Sequence, residues 1–295
     1  MTTPNEFLID GILPCNEIHL LAGSSGSGKT TWLFQMLAEW QEGLPVLGHT
    51  SYPVPYTYLS VDRSSTSVKR TLQRLGLQDK INRMVCREHL PIGLTVATAI
   101  EVALKSFPDS KVFFIEGFQT LAGDRGNSYT PVAALLSATT AYCAKEGLTI
   151  IGVCHSPKMK MDEKFQHSRE VVLGSVAWAA FSDTVITMDQ AEDTGIITVR
   201  VMPRNAAKED FQFRFGLNGV LVPVIATGGK ADLELYIYSL ASGSTISRQD
   251  ILQTGHALNI ASRTAERVIT EALSDGVLEV ASRGVYRRLP EVLLN

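Results

Sequence analysis

"GSSGSGKT", Gly23 to Thr30, decides how the rest of the 295 residues are read. An apolar run, "IHLLAG" from Ile18, leads into it, and Lys29 to Trp40 follows with a helical pattern, so a strand feeds a glycine-rich turn that opens a helix. Glycines let several backbone N–H groups converge on one anion, and the helix start adds its partial positive charge. The spacing G-x-x-x-x-G-K-[ST] is that of a phosphate-binding loop. Gly23, Ser24, Ser25, Gly26, Ser27, Gly28, Lys29, Thr30 and Thr31 form the expected nucleotide cradle. Within it Lys29 reaches the β and γ phosphates and the Thr30 hydroxyl binds Mg2+. The competing reading, a Gly/Ser-rich turn with an incidental lysine, is disfavoured by the strand-to-helix context.

Outward from the loop, strands alternate with helices from about residue 18 to about residue 203, which predicts a parallel sheet flanked by helices. "YTYLSV" (Tyr56 to Val61) is the second strand, and its helix runs through Leu75 to end at Gly76. The third is "KVFFIEGF", Lys111 to Phe118, where four successive apolar residues read as a strand covered on both faces and ending in Glu116. Apolar residues at helical spacing between Pro131 and Gly147 predict a covering helix, and "LTIIGVCH" (Leu148 to His155) is the fourth strand. "DTVITMD" and "GIITVRVMP", separated by the acidic turn Glu192 to Gly195, predict a hairpin at the sheet edge. Thr-Gly-Gly within Ala226 to Lys230 marks a domain boundary, giving domains at 1–225 and 231–295. The second domain reads as three short helices, "LELYIYSLA", "SRQDILQTG" and "SRTAERVITEALSDG", then a hairpin turning near Ser282 to Gly284.

Composition is that of an ordinary globular protein, with net charge -3 and a pI near 6.1. No global field draws it to nucleic acid or an anionic membrane, so such binding must come from local patches. Cys15, Cys86, Cys143 and Cys154 form no CxxC or zinc spacing and read as free thiols. With no secretory leader and no apolar run of transmembrane length, the expectation is a cytoplasmic protein with no membrane partner.

With these residues together, the chain resembles the RecA-like ATPases, and within them the small hexameric replicative helicases of the plasmid RepA type, related to DnaB-type helicases and KaiC-like proteins. The resemblance runs from about Asp10 to Phe215, and the entry segment "IDGILPCNEIHLLAGSSGSGKTT" is similar to the family's lead into its loop. It implies an α/β fold, a RecA-like P-loop NTPase with a central mostly parallel sheet and a small C-terminal winged-helix domain, with ATP and Mg2+ as cofactors. Asp62, after the second strand, matches the position of the catalytic base, ordinarily Glu. Glu116 matches the Walker B acid beside Mg2+, ordinarily Asp, and shares the metal with Thr30. His155 matches the polar sensor of the γ-phosphate, and Arg204 in "VMPRNA" the arginine finger given to a neighbouring subunit. Each has an alternative: a strand-end acid paired with a Lys for Glu116, a helix N-cap for Asp62, a core histidine for His155, and Arg200 or Arg214 in place of Arg204.

Two regions suit DNA. The segment after His155, "SPKMKMDEKFQHSREVV", carries Lys158, Lys160, Lys164 and Arg169 with Phe165, where RecA-like proteins place a loop facing a ring's channel, and Arg125 lies in a second polar loop after Glu116. In the C-terminal domain Ala265, Val268, Ile269, Ala272 and Leu273 form a buried stripe that leaves Arg263 and Arg267 on the open face, with Arg283, Arg287 and Arg288 on the wing. The expected function is an ATP-dependent DNA helicase or translocase of plasmid or phage replication type, a homo-oligomeric ring, expected hexameric, on single-stranded DNA. The alternative is a non-translocating switch, a recombination mediator or helicase loader, that recruits a replication or recombination protein through its C-terminal domain.

Overall fold

The computed structural model describes residues 6–125, 128–155, 176–191, 195–216, 219–224, 230–238, 240, 243–258 and 260–289. Contacts divide the chain into two compact units, Met1–Phe211 and Gln212–Asn295. In chain order the elements begin with an antiparallel pair, β1 (Phe7–Ile9) and β2 (Leu13–Pro14), then β3 (Ile18–Gly23) and α1 (Lys29–Gln41). Next come β4 (Tyr56–Ser60), α2 (Ser65–Leu75), β5 (Met84–Cys86), α3 (Val96–Ser106), β6 (Val112–Glu116), α4 (Tyr129–Glu146) and β7 (Thr149–His155). They continue with α5 (Val176–Phe181), β8 (Thr184–Gln190), β9 (Ile197–Pro203), β10 (Glu209–Phe215) and β11 (Leu221–Pro223). Last are α6 (Lys230–Tyr238), β12 (Thr245–Ser247), α7 (Arg248–Ala257), α8 (Ser262–Ser274), β13 (Leu278–Ser282) and β14 (Val285–Arg288).

Nine strands form one sheet in the order β11-β10-β9-β8-β3-β7-β6-β4-β5. From β8 to β5 every pairing is parallel, and β9 and β11 pair antiparallel with β8 and β10. Every residue of β3, β4 and β6 is buried, as expected of strands sandwiched between helices. On one side Trp40, Tyr56 and Phe114 pack ring against ring; elsewhere Phe118 meets Trp178 edge-on. The amphipathic α2 lays Val68, Leu72 and Leu75 inward, and Gly76 closes it with a left-handed C-cap.

The expected edge hairpin is corrected. β8 and β9 do pair, but β8 lies beside β3, while β10 and β11 extend the sheet beyond β9. A hairpin's own sequence shows pairing between its two arms and carries no signal of further strands added later in the chain.

In the second unit, α6, α7 and α8 and the sheet β12-β14-β13 enclose a core that includes Leu233, Tyr236, Ile237, Ile251, Val268 and Ile269. Ser247 begins α7 with a capping box, accepting from Asp250 N–H while the Asp250 carboxylate accepts from Ser247 N–H. The strand β12 is absent from the sequence expectation because three residues are too few to show alternation. Most of the expected boundary at Ala226 to Lys230 lies outside the described residues.

Candidate active site

Register brings the site together. Gly23 pairs opposite His155 between β3 and β7, Glu116 opposite Val153 between β6 and β7, and Ser60 opposite Glu116 between β4 and β6. The glycine-rich loop, Asp62, Glu116 and His155 therefore leave the sheet at one edge, the carboxyl ends of parallel strands, where open α/β sheets bind ligands.

Gly28 is the N-cap of α1 at φ 92, and no side chain caps the helix, which leaves its first N–H groups for an anion. Lys29 is buried and donates to the carbonyls of Gly23 and Ser24, both at 2.7 Å. Burial pulls its pKa down to about 8, against the opposing pull of Glu116. Ser27 Oγ is buried with no hydrogen-bond partner, an orphan polar atom inside the loop. Gly23 is pressed so closely on β8 that a Cβ would collide with the carbonyl oxygen of Met188. Free helix N–H groups, a lysine and an orphan hydroxyl around one loop fit a nucleotide's phosphates.

Glu116 is 6 % exposed and both its oxygens are engaged. Thr30 Oγ1 donates to Oε1, and the Tyr58 hydroxyl to Oε2. The Arg63 guanidinium stands 3.5 Å from the same Oε2. Burial, and then the adjacent carboxylate, hold the Tyr58 hydroxyl well above its ordinary pKa, so it stays a donor. The partner of Glu116 is thus Arg63 and not a lysine. Among the described residues no cluster of three or more His, Cys, Asp or Glu is built to hold a metal alone. Thr30 and Glu116, completed by phosphate oxygens and water, fit Mg2+, which favours such mixed shells over all-protein cages. Bound there, the ion would neutralise charge on the phosphates.

Asp62 does not cap α2. Ser64 does, accepting from Ser67 N–H at 3.4 Å, which leaves the Asp62 carboxylate at the sheet edge with Ser60 Oγ at 3.5 Å. Gly117, at φ +77, exists as glycine for this neighbour, because a Cβ there would stand 2.9 Å from Asp62 Cγ. His155 is exposed and so is no core histidine; its backbone N–H donates to Gln119 Oε1 at 2.9 Å. Partial burial first, and then the charge of Lys29, lower its pKa. Arg204 lies elsewhere. Its guanidinium donates to the carbonyls of Ala180 (2.6 Å) and Ser182 (3.1 Å), and its N–H to Asp183, at the end of β8 away from the loop. Arg200, the alternative, is paired with Asp210 at 2.8 Å.

Tyr58, Arg63, Gly117 and Gln119 carry no sequence signal of these roles, beyond the placing of Arg63 directly after a strand-end acid. Asp189 does carry one, as an acid ending an apolar strand, and it acts electrostatically on Lys29. Lys158, Lys160, Lys164 and Arg169, and the side chain of Arg125, lie outside the described residues. On α8, Ala265, Val268, Ile269 and Ala272 are buried while Arg263 and Arg267 are exposed, with Arg267 3.9 Å from Glu271. Arg287 pairs with Glu279 at 2.9 Å. Arg288 leaves the expected basic patch: it is buried, donates to the carbonyls of Val277 and Leu289, and lies over the Tyr238 ring.

A parallel sheet whose carboxyl edge gathers a phosphate loop, a lysine, a hydroxyl and an acid defines a P-loop ATPase of RecA-like fold, related to the DnaB and KaiC proteins. The chain belongs to the AAA domain family, which matches residues 2–161. Two solved structures are similar to it. The KaiC-like protein PH0186 from the hyperthermophilic archaeon Pyrococcus horikoshii OT3 has 17% identity and a TM-score of 0.51, over 76% of this chain and 99% of that one. The ATPase domain of a helicase has 10% identity and a TM-score of 0.54, over 71% of this chain and 85% of that one. At these identities the likeness is one of fold. No curated protein matches the chain in sequence.

Proposed function

We propose that this ATPase, of helicase-like type, works as a homo-oligomeric ring that translocates on single-stranded DNA, with ATP hydrolysed where subunits meet. The observation that carries the reading is the division of the catalytic set between two edges of one sheet. Lys29, Thr30, Asp62, Glu116 and His155 share the carboxyl edge, whereas Arg204 follows β9 opposite the start of β8. Asp183, whose carbonyl binds the Arg204 N–H, and Met188, which pairs with Gly23, are separated by roughly 15 Å of strand. Arg204 is therefore out of reach of its own loop and suited to a neighbour's. In the proposed mechanism Lys29 and the α1 N–H groups orient the phosphates, Thr30 and Glu116 hold Mg2+, and Asp62 takes the proton of the attacking water. His155 contacts the γ-phosphate from the adjacent strand.

The order α6-β12-α7-α8-β13-β14 supports reading the C-terminal unit as a winged helix. One observation favours the second reading, an assembly switch that recruits a protein partner through this unit. Arg248, Arg267 and Arg287 each stand beside a glutamate of the same unit, which weakens the attraction of this face for phosphate. Membrane partners are not part of either reading: among the described residues no helix is long and apolar enough to cross a bilayer.

The test is steady-state ATP hydrolysis with and without single-stranded DNA, with mass photometry on the same samples. Strong DNA stimulation in a six-subunit species is expected. ATP-dependent assembly with negligible turnover would replace the translocase by the switch.

A further inference from the structure

Glu116 stands where RecA-like ATPases ordinarily carry the shorter Asp, and its surroundings explain the longer side chain. Tyr58 and Glu116 lie on one face of adjacent strands, because Tyr58 pairs with Phe114 and Ser60 with Glu116. This diagonal placement brings the Tyr58 hydroxyl onto Oε2. From beyond the strand, Arg63 returns over the same oxygen, its backbone N–H donating to Ser60 Oγ at 3.2 Å. The guanidinium is fixed before it meets the carboxylate. Nε donates to Ser67 Oγ (3.2 Å), and Nη2 to Ser67 O (3.1 Å) and Thr71 Oγ1 (2.7 Å), all on α2. The carboxylate thus spans Thr30 at the start of α1 and the Tyr58–Arg63 pair on the opposite side.

We propose that Tyr58 and Arg63 are positioning residues that anchor Glu116 through Oε2, so that Oε1 is presented beside Thr30 to the metal, and that this anchoring is why the chain uses Glu at position 116. An aspartate, one methylene shorter, cannot touch both Thr30 and the pair. A carboxylate as buried as Glu116 also needs a charged partner, and Arg63 is the cation it has. Groups that orient a metal ligand from behind typically change metal affinity about 10- to 100-fold when removed. The inference rests on the ATPase site described above.

Its test reads metal binding apart from turnover. A fluorescent non-hydrolysable ATP analogue is titrated onto the full chain with and without Mg2+. In the native protein Mg2+ should tighten binding. Arg63→Ala should raise the Mg2+ concentration required about tenfold, and Tyr58→Phe a few-fold, with the affinity measured without Mg2+ changed by less than about twofold. Arg63→Lys, which keeps the charge, should recover part of the loss and keeps the test valid if Arg63→Ala fails to fold. Glu116→Asp should show the same defect, and adding Arg63→Ala to it should add less than about twofold, since the anchored oxygen is already out of reach. Independent, multiplying effects in the double variant would overturn the proposal, as would an equal loss of affinity without Mg2+. Absence of nucleotide binding by the native chain would instead overturn the ATPase site itself, and the inference with it.

Discussion

Lys29, held by two carbonyls and pulled to a pKa of about 8, is charged at neutral pH and loses that charge as pH rises past it. Nucleotide affinity should fall between pH 7 and pH 9, and binding at pH 8 should take up protons, visible as a dependence of calorimetric heat on buffer ionisation. The sign for folding is the reverse. With the folded pKa depressed from 10.5, the unfolded chain binds more protons between about pH 8 and 10.5, so this group's contribution to stability rises with pH across that window. Lys29→Ala should weaken nucleotide binding by about 2 kcal/mol or more, roughly 30-fold, and abolish turnover. At Gly117 a Cβ meets both an unfavourable φ and the Asp62 side chain. Gly117→Ala should therefore destabilise the protein by about 1–2 kcal/mol in a denaturant titration, and its turnover should fall further than the stability loss explains.

Between β4 and α2, three consecutive residues divide three tasks: Asp62 faces the site, Arg63 ties Glu116 to the helix, and Ser64 caps it. Capping and catalysis can therefore be separated by substitution. Ser64→Ala should cost about 1 kcal/mol of stability by loss of the cap. Asp62→Asn should stay within about 0.5 kcal/mol of the native protein and still lose most hydrolysis. Equal loss of stability in the two variants would return Asp62 to a structural role.

As an assembly, the ring requires that one chain's loop meet another chain's Arg204. Mixing Arg204→Ala with Lys29→Ala should restore activity through hybrid interfaces, since an intact loop can then face an intact arginine. In an equal mixture roughly a quarter of interfaces would be complete. Hydrolysis should peak near that ratio, and no recovery at any ratio would remove the trans arginine from the mechanism.

The phosphate loop, the buried strands β3, β4, β6 and β7, the closure of α2 at Gly76 and the three helices of the second unit were legible in the sequence, because each depends on spacing within a few contiguous residues. Asp62, Glu116 and His155 were legible as strand-end polar residues. Their partners were not. Arg63 and Tyr58 reach Glu116 across 53 and 58 positions, and Thr30 across 86, through contacts set by strand order and register in the sheet. The burial of Arg288 and the inward place of β8 depend likewise on elements distant in the chain. Local pattern determined which elements form and where a nucleotide's phosphates are held; folding determined how the acid of that site is anchored, because anchoring joins residues that only the pairing of separate strands brings within a hydrogen bond.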